Sequence, residues 1–214
     1  MIDSKIIKTN KIYIPNVSRE TLKELGEYSQ SILSTNKKIN LISSTTEKSI
    51  NTRHICDSAQ TIEFIDKNDI NVCTDLGSGA GLPSIVLGIL MKSKKQGFKL
   101  IFYEKSYHKS NFLKEMVKKF KLEARIYQKN IFEEKNLVTD VIICRAFKPL
   151  PVIFDIATKN FKNFKYIVMY LGKSRKKILK DVSTKWKFDL EEMKSHTSEE
   201  SSVVKISNLK KNYE

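Results

Sequence analysis

From residue 71 onward, short apolar runs alternate with amphipathic ones. The runs at 71–76 (NVCTDL), 99–104 (KLIFYE), 124–128 (ARIYQ), 140–145 (DVIICR) and 166–171 (YIVMYL) are almost continuously hydrophobic, which predicts strands buried on both faces. Between them, 83–95, 107–120, 149–161 and 174–186 carry apolar positions at helical spacing, most clearly Phe112, Leu113, Met116, Val117 and Phe120. Such alternation predicts a parallel sheet with helices on both faces. "WKFDLEEM" and "SSVVKISNL" in the tail predict two more strands, close enough in sequence to pair antiparallel at the sheet edge. The N-terminal third reads as helical. Ser18 is placed to cap a helix carrying Leu22, Leu25, Ile32 and Leu33, which fades at "STNKKIN". Ser44, with Glu47 three residues on, predicts a capping box opening a second helix through Ile50, Ile55, Ala59 and Ile62. The expected organisation is a helical extension over 1–68 and an α/β domain over 69–214, together one compact unit.

The first strand runs into "DLGSGAGLP", with glycines at 77, 79 and 81. Glycine tolerates positive φ and lets a ligand approach the backbone, and the following helix presents unpaired N–H groups. Pro83 suits an early helical position. Three alternate glycines exceed what a tight turn requires. A dinucleotide loop reads G-x-G-x-x-G, and its third glycine position here holds Leu82; no Walker lysine follows either. The competing class is S-adenosylmethionine, which carries no phosphate and wants a backbone loop for its amino-acid end. Either nucleotide class wants an acid at the end of the second strand for ribose hydroxyls, and Glu104 stands there.

Charge narrows the second substrate. The chain has 214 residues, with 39 Lys+Arg against 24 Asp+Glu, a formal net charge of +15. That field favours a polyanion such as nucleic acid. A membrane surface is less suited, because no basic amphipathic helix carries aromatic anchors. No 18-residue apolar run predicts a membrane span, and "MIDSKIIKTNKIYIPN" has no leader pattern. Cys56, Cys73 and Cys144 are scattered, without C-x-x-C spacing, so neither a disulfide framework nor a metal site is expected and a reducing cytoplasm suits the chain.

Four segments, in order, resemble one family. They are "KINLIS" (38–43), "TRHICDS" (52–58), "DLGSGAGLPS" and "CRAFKPLP" (144–151). Together they are similar to the bacterial 16S ribosomal RNA guanine-N7 methyltransferases, the RsmG or GidB family. The resemblance implies a class I methyltransferase fold, Rossmann-like, with a mostly parallel seven-stranded sheet and an N-terminal helical extension. It implies S-adenosylmethionine as cofactor and 16S RNA or the small ribosomal subunit as partner; a monomer is expected. Cofactor contacts then fall on Gly77, Ser78, Gly79, Gly81, Leu82 and Glu104, with Ile131 and Phe132 lining the adenine and Arg145 beside the methyl donor. RNA contacts fall on Arg53 and His54, with Lys109 and Lys173 as further bets. Without the family, His54 reads as a packed, hydrogen-bonded histidine. The chain departs from the family at "YLGK", where Leu171 stands in place of a lysine.

Guanine N7 has a lone pair and no proton, so it can attack a sulfonium methyl without a general base; proximity and orientation carry such a reaction. No single catalytic residue is therefore assigned. There is no Asp/Asn-Pro-Pro-Tyr segment for exocyclic amines and no Pro-Cys pair for cytosine C5, and Cys144 reads as strand core. The competing readings are a nicotinamide oxidoreductase, a ribosomal RNA binder with a degenerate methyltransferase fold, and a small-molecule methyltransferase.

Overall fold

The structure is a computed structural model that describes residues 14–212; most of the N-terminal stretch "MIDSKIIKTNKIYIPN" lies outside the described residues. Helix α1 (Arg19–Asn36) starts where expected. The Ser18 hydroxyl accepts from the Thr21 N–H at 3.1 Å. Leu25, Tyr28 and Ile32 form its buried stripe.

The second N-terminal helix is not continuous, and the capping box does not form. Ser44–Ser49 is a single 3-10 stretch preceded by Ser43, which makes no side-chain cap. The reason lies in Asn36. Its Oδ1 accepts from the N–H groups of Leu41 and Ile42, and its Nδ2 donates to the Ile42 carbonyl and to Glu47 Oε1. Glu47 is thus drawn to the end of α1. A wide turn follows over Asn51–Cys56, in which the Asp57 N–H reaches the Thr52 carbonyl, and then come two short helices, α2 (Asp57–Ala59) and α3 (Ile62–Ile65).

The strand–helix alternation holds. In chain order it comprises β1 (Val72–Leu76), α4 (Ser84–Met91), β2 (Lys99–Tyr103), α5 (Tyr107–Lys119), β3 (Ala124–Tyr127), β4 (Leu137–Val138), β5 (Val141–Cys144), α6 (Leu150–Asn160), β6 (Phe161–Asn163), β7 (Tyr166–Leu171), α7 (Arg175–Ser183), β8 (Trp186–Lys194) and β9 (Ser202–Lys211). The seven-stranded sheet has the order β3-β2-β1-β5-β7-β9-β8, parallel up to β7. The last two strands form the expected antiparallel pair, but β9 inserts beside β7 and leaves β8 on the edge. A small parallel pair, β4 with β6, was not anticipated; it is too short to give a pattern. Pro83 stands at the cap position just before α4, rather than inside it.

Strand side chains alternate between two apolar cores. Cys73, Val141, Ile143 and Val168 face the core shared with α1 and α4. Leu76, Ile142, Cys144, Ile167 and Met169 face the other, with α6. Burial on both faces is why these strands read as continuous apolar runs. Cys144 belongs to this packing, and burial pushes its thiol pKa up, so it is a core residue and no nucleophile. No described helix is long and apolar enough to cross a membrane.

Candidate cofactor cleft and its surroundings

Strand order reverses between β1 and β5: the chain runs outward through β2 and β3 on one side and through β7 on the other. In open α/β sheets ligands bind outside the carboxyl ends of the strands at that reversal. A cleft of about 380 Å³ opens there, lined by Gly77, Glu104, Ile131, Phe132 and Phe147, with Lys105, Lys129 and Lys148 at its walls. A hollow of similar size, about 370 Å³, lies between Val72, Lys99, Arg125 and Val138 at the opposite strand ends, away from the glycine loop.

The loop departs from β1 with Gly77, Gly79 and Gly81 all at positive φ (67°, 56° and 87°). They serve different ends. A Cβ on Gly81 would strike Ile85 and Leu113, so this glycine allows tight packing of the loop on the helices. A Cβ on Gly77 would sit 2.0 Å from the Phe147 ring. At Gly79 a Cβ would meet nothing nearer than 3.8 Å, which leaves that backbone open. The Ser78 hydroxyl donates to the Asp75 carbonyl at 3.0 Å and holds the turn; Ser78 and Leu82 are buried within the loop and, like Gly79 and Gly81, do not line the cleft. From below, the Tyr28 hydroxyl donates to the Ala80 carbonyl at 2.7 Å, so α1 braces the loop.

Glu104 follows β2 directly. One carboxylate oxygen accepts from the Gly79 N–H at 2.9 Å and the other from the Ser106 N–H at 2.8 Å. The acid and the loop expected to share a ligand are thus bonded to each other. Asp75, buried at the end of β1, is raised to about 7 by desolvation; the Ser84 hydroxyl nearby eases the rise and the Glu104 charge adds to it. Neither Asp75 Oδ2 nor Ser84 Oγ has a hydrogen-bond partner in good geometry. Ile131 is buried, while Phe132 is exposed at the cleft.

Arg145 follows β5, but its guanidinium is engaged away from the cleft lining. It donates to the Ser58 hydroxyl at 3.0 Å and the Arg53 carbonyl at 2.7 Å, pairs with Asp57 at 2.8 Å and lies 4.7 Å from the centre of the Tyr170 ring. The other Asp57 oxygen accepts from Gln60, Ser195 and Thr197, tying the hairpin between β8 and β9 to the same point. Arg53 is held near this junction by its carbonyl and has an exposed side chain.

His54, expected as an RNA contact, is half-buried. Its Nε2 is 2.8 Å from the Thr46 hydroxyl, and its Nδ1 is buried without a partner. Burial first, then the charges of Arg145 and Arg53, lower its pKa from 6.5 to about 4. The packed, hydrogen-bonded reading describes this ring. An unfolded chain protonates it near 6.5. The residue therefore supports the native state above that pH, and the support is lost as pH falls towards 4. Asp75, with a raised pKa, acts oppositely, costing stability as pH rises towards 7. Comparison with a His54→Gln variant isolates the histidine. The stability advantage of the wild type, read by urea denaturation, should shrink by up to ~3 kcal/mol between pH 7 and pH 4; a constant difference would contradict a ring held neutral by the fold.

Lys109 lies in the first turn of α5 and Lys173 pairs with Glu200 at 3.0 Å; neither lines the cleft. Leu171 is packed in the α6-side core. Phe147 and the wall lysines were missed, since "RAFKP" carries no spacing signal that distinguishes Phe147 from core. Its position depends on Ala146 at φ 52°, a left-handed conformation uncommon for alanine.

With this geometry in place, comparison with known proteins decides the family. Residues 21–205 match the family model described as rRNA small subunit methyltransferase G. The chain belongs to the small-subunit ribosomal RNA methyltransferase G family. A Pelagibacter ubique member, Ribosomal RNA small subunit methyltransferase G, is 45% identical over 198 residues, covering 92% of each chain. The Bartonella henselae member is 34% identical over 98% of this chain and 96% of its own. Among solved structures, the O-methyltransferase TomG from Streptomyces achromogenes, in complex with S-adenosylmethionine, superposes with a TM-score of 0.63 at 10% identity, covering 97% of this chain and 99% of that one. That likeness concerns the fold, which is the class I methyltransferase architecture expected from the family resemblance.

Proposed function

We propose that this chain transfers the methyl group of S-adenosylmethionine to N7 of a guanine in 16S ribosomal RNA. The observation that carries the proposal is the open glycine loop joined to Glu104 at the switch point, in a chain of this family. The residues fit the cofactor. Gly79 offers an uncovered backbone, Glu104 offers a carboxylate for ribose hydroxyls, and Ile131 with Phe132 supplies an apolar wall for adenine. Asp75 adds a buried acid with an unpartnered oxygen below the loop. When bound, the cofactor supplies an electrophilic methyl group.

The protein's part is to hold and orient. The cleft needs no general base, because guanine N7 attacks through a lone pair and loses no proton. Its titratable side chains are arranged accordingly. Glu104 accepts one N–H on each oxygen and keeps acceptor capacity for ribose hydroxyls, and desolvation first, then nearby Glu134 and Tyr127, push Tyr103 up to about 12. Arg145, held by Asp57, sets the post-β5 loop that brings Phe147 against Gly77. Arg53 is retained as an RNA contact; His54 is not. The reading includes a cytoplasmic monomer, with the three buried free cysteines suited to a reducing compartment. Ligand choice is tested by thermal denaturation. S-adenosylmethionine should raise Tm in a concentration-dependent way while NAD leaves it unchanged; the reverse would favour the oxidoreductase.

A further inference from the structure

The cleft walls present an electrostatic mismatch. Lys105 follows β2, Lys148 follows β5, and Lys129 stands beyond β3, all lining the cleft. Lys129 is paired with Glu134 at 3.0 Å, but Lys105 and Lys148 are exposed and make no ion pair among the described residues. S-adenosylmethionine itself carries a sulfonium and an ammonium against one carboxylate, a net positive charge. Unpaired ammonium groups beside its site oppose its binding. Their placement suits the other substrate instead.

We infer that Lys105 and Lys148 are positioning residues that grip the RNA phosphates flanking the target base, and that RNA binding at these lysines strengthens the binding of S-adenosylmethionine. The inference rests on the RNA-methylation reading and adds to it which groups seat the RNA and how the two substrates are coupled. The topology supports it. β2 and β5 flank β1, so the two lysines stand on opposite sides of the glycine loop, with strands roughly 10 Å apart. An unstacked nucleotide can enter between them, with a lysine on the backbone at each side. Phosphates at both ammonium groups cancel the repulsion that the cationic cofactor meets in their absence. The coupling is reciprocal, so the cofactor also favours RNA.

The experiment measures binding of S-adenosylmethionine by calorimetry, and of deproteinised small-subunit ribosomal RNA by filter retention, for wild type, Lys105→Gln, Lys148→Gln and the double variant. Salt is varied, and Tm establishes that each variant is folded. The double variant should bind S-adenosylmethionine alone about two- to fivefold more tightly. Its RNA affinity should fall, and the log–log salt slope should lessen by about 0.7–0.9 per lysine. RNA should tighten cofactor binding to the wild type more than to the double variant. An unchanged salt slope overturns the phosphate contacts. Unchanged or weaker cofactor binding by the folded double variant overturns the coupling. Wild type that binds no RNA would instead count against the RNA-methylation reading itself.

Discussion

Asp57→Ala should be among the most destabilising single substitutions in this chain. The carboxylate is buried and pairs with Arg145 at 2.8 Å, the two side chains being 8% and 18% exposed. It also receives Gln60, Ser195 and Thr197. Removing one member of such a pair leaves the guanidinium uncompensated and several donors without an acceptor, at a cost of about 3–5 kcal/mol. For a chain of this size, that is a fall of roughly 6–20 °C in Tm. Asp57→Asn keeps an acceptor for the hydroxyls while losing the charge, and should lie between wild type and alanine. Combining Asp57→Ala with Arg145→Ala should cost less than the sum of the two singles, because each alone strands its partner. Additive losses in thermal or urea denaturation would show that the pair does not hold the junction.

Glu104→Ala should have the largest effect on cofactor binding. A hydrogen bond to a charged group contributes about 1.5–3 kcal/mol, so loss of the carboxylate from the ribose hydroxyls weakens S-adenosylmethionine by about 10- to 150-fold. The same substitution leaves the Gly79 and Ser106 N–H groups without their acceptor, but both bonds are only partly buried and no charged partner is stranded. The stability cost should therefore be smaller than for Asp57→Ala, and the variant should remain folded for calorimetry. Glu104→Gln, which keeps one acceptor, should lose less affinity. An unchanged dissociation constant in the alanine variant would remove Glu104 from the cofactor site.

These two residues also mark the limits of sequence reading. The position of Glu104 against the glycine loop was legible because its signal is local: an acid ending a short apolar strand, a fixed distance after that loop. The strands themselves were legible because both faces are buried, so each reads as an unbroken apolar run. Asp57 was visible only as part of a family segment. Its partners at 145, 195 and 197 are distant in sequence, and nothing near residue 57 announces them. The same distance effect hid the surroundings of His54, which depend on Thr46 and on Arg145 brought in after β5. Ser44 and Glu47 had the spacing of a capping box, yet Asn36 from the preceding helix captured Glu47, a tertiary contact overriding a local motif. Phe147 was missed because an alanine in left-handed geometry sets its direction, and no pattern of residue types requires that conformation.

Methyl transfer is the most direct test of the proposed reaction. Isotopically labelled S-adenosylmethionine is supplied to the protein with small ribosomal subunits whose RNA lacks 7-methylguanosine, and the RNA is then digested to nucleosides. Label is expected in 7-methylguanosine. If a related active enzyme labels the same subunits and this chain transfers none, or places label on another nucleoside, the proposed reaction is contradicted.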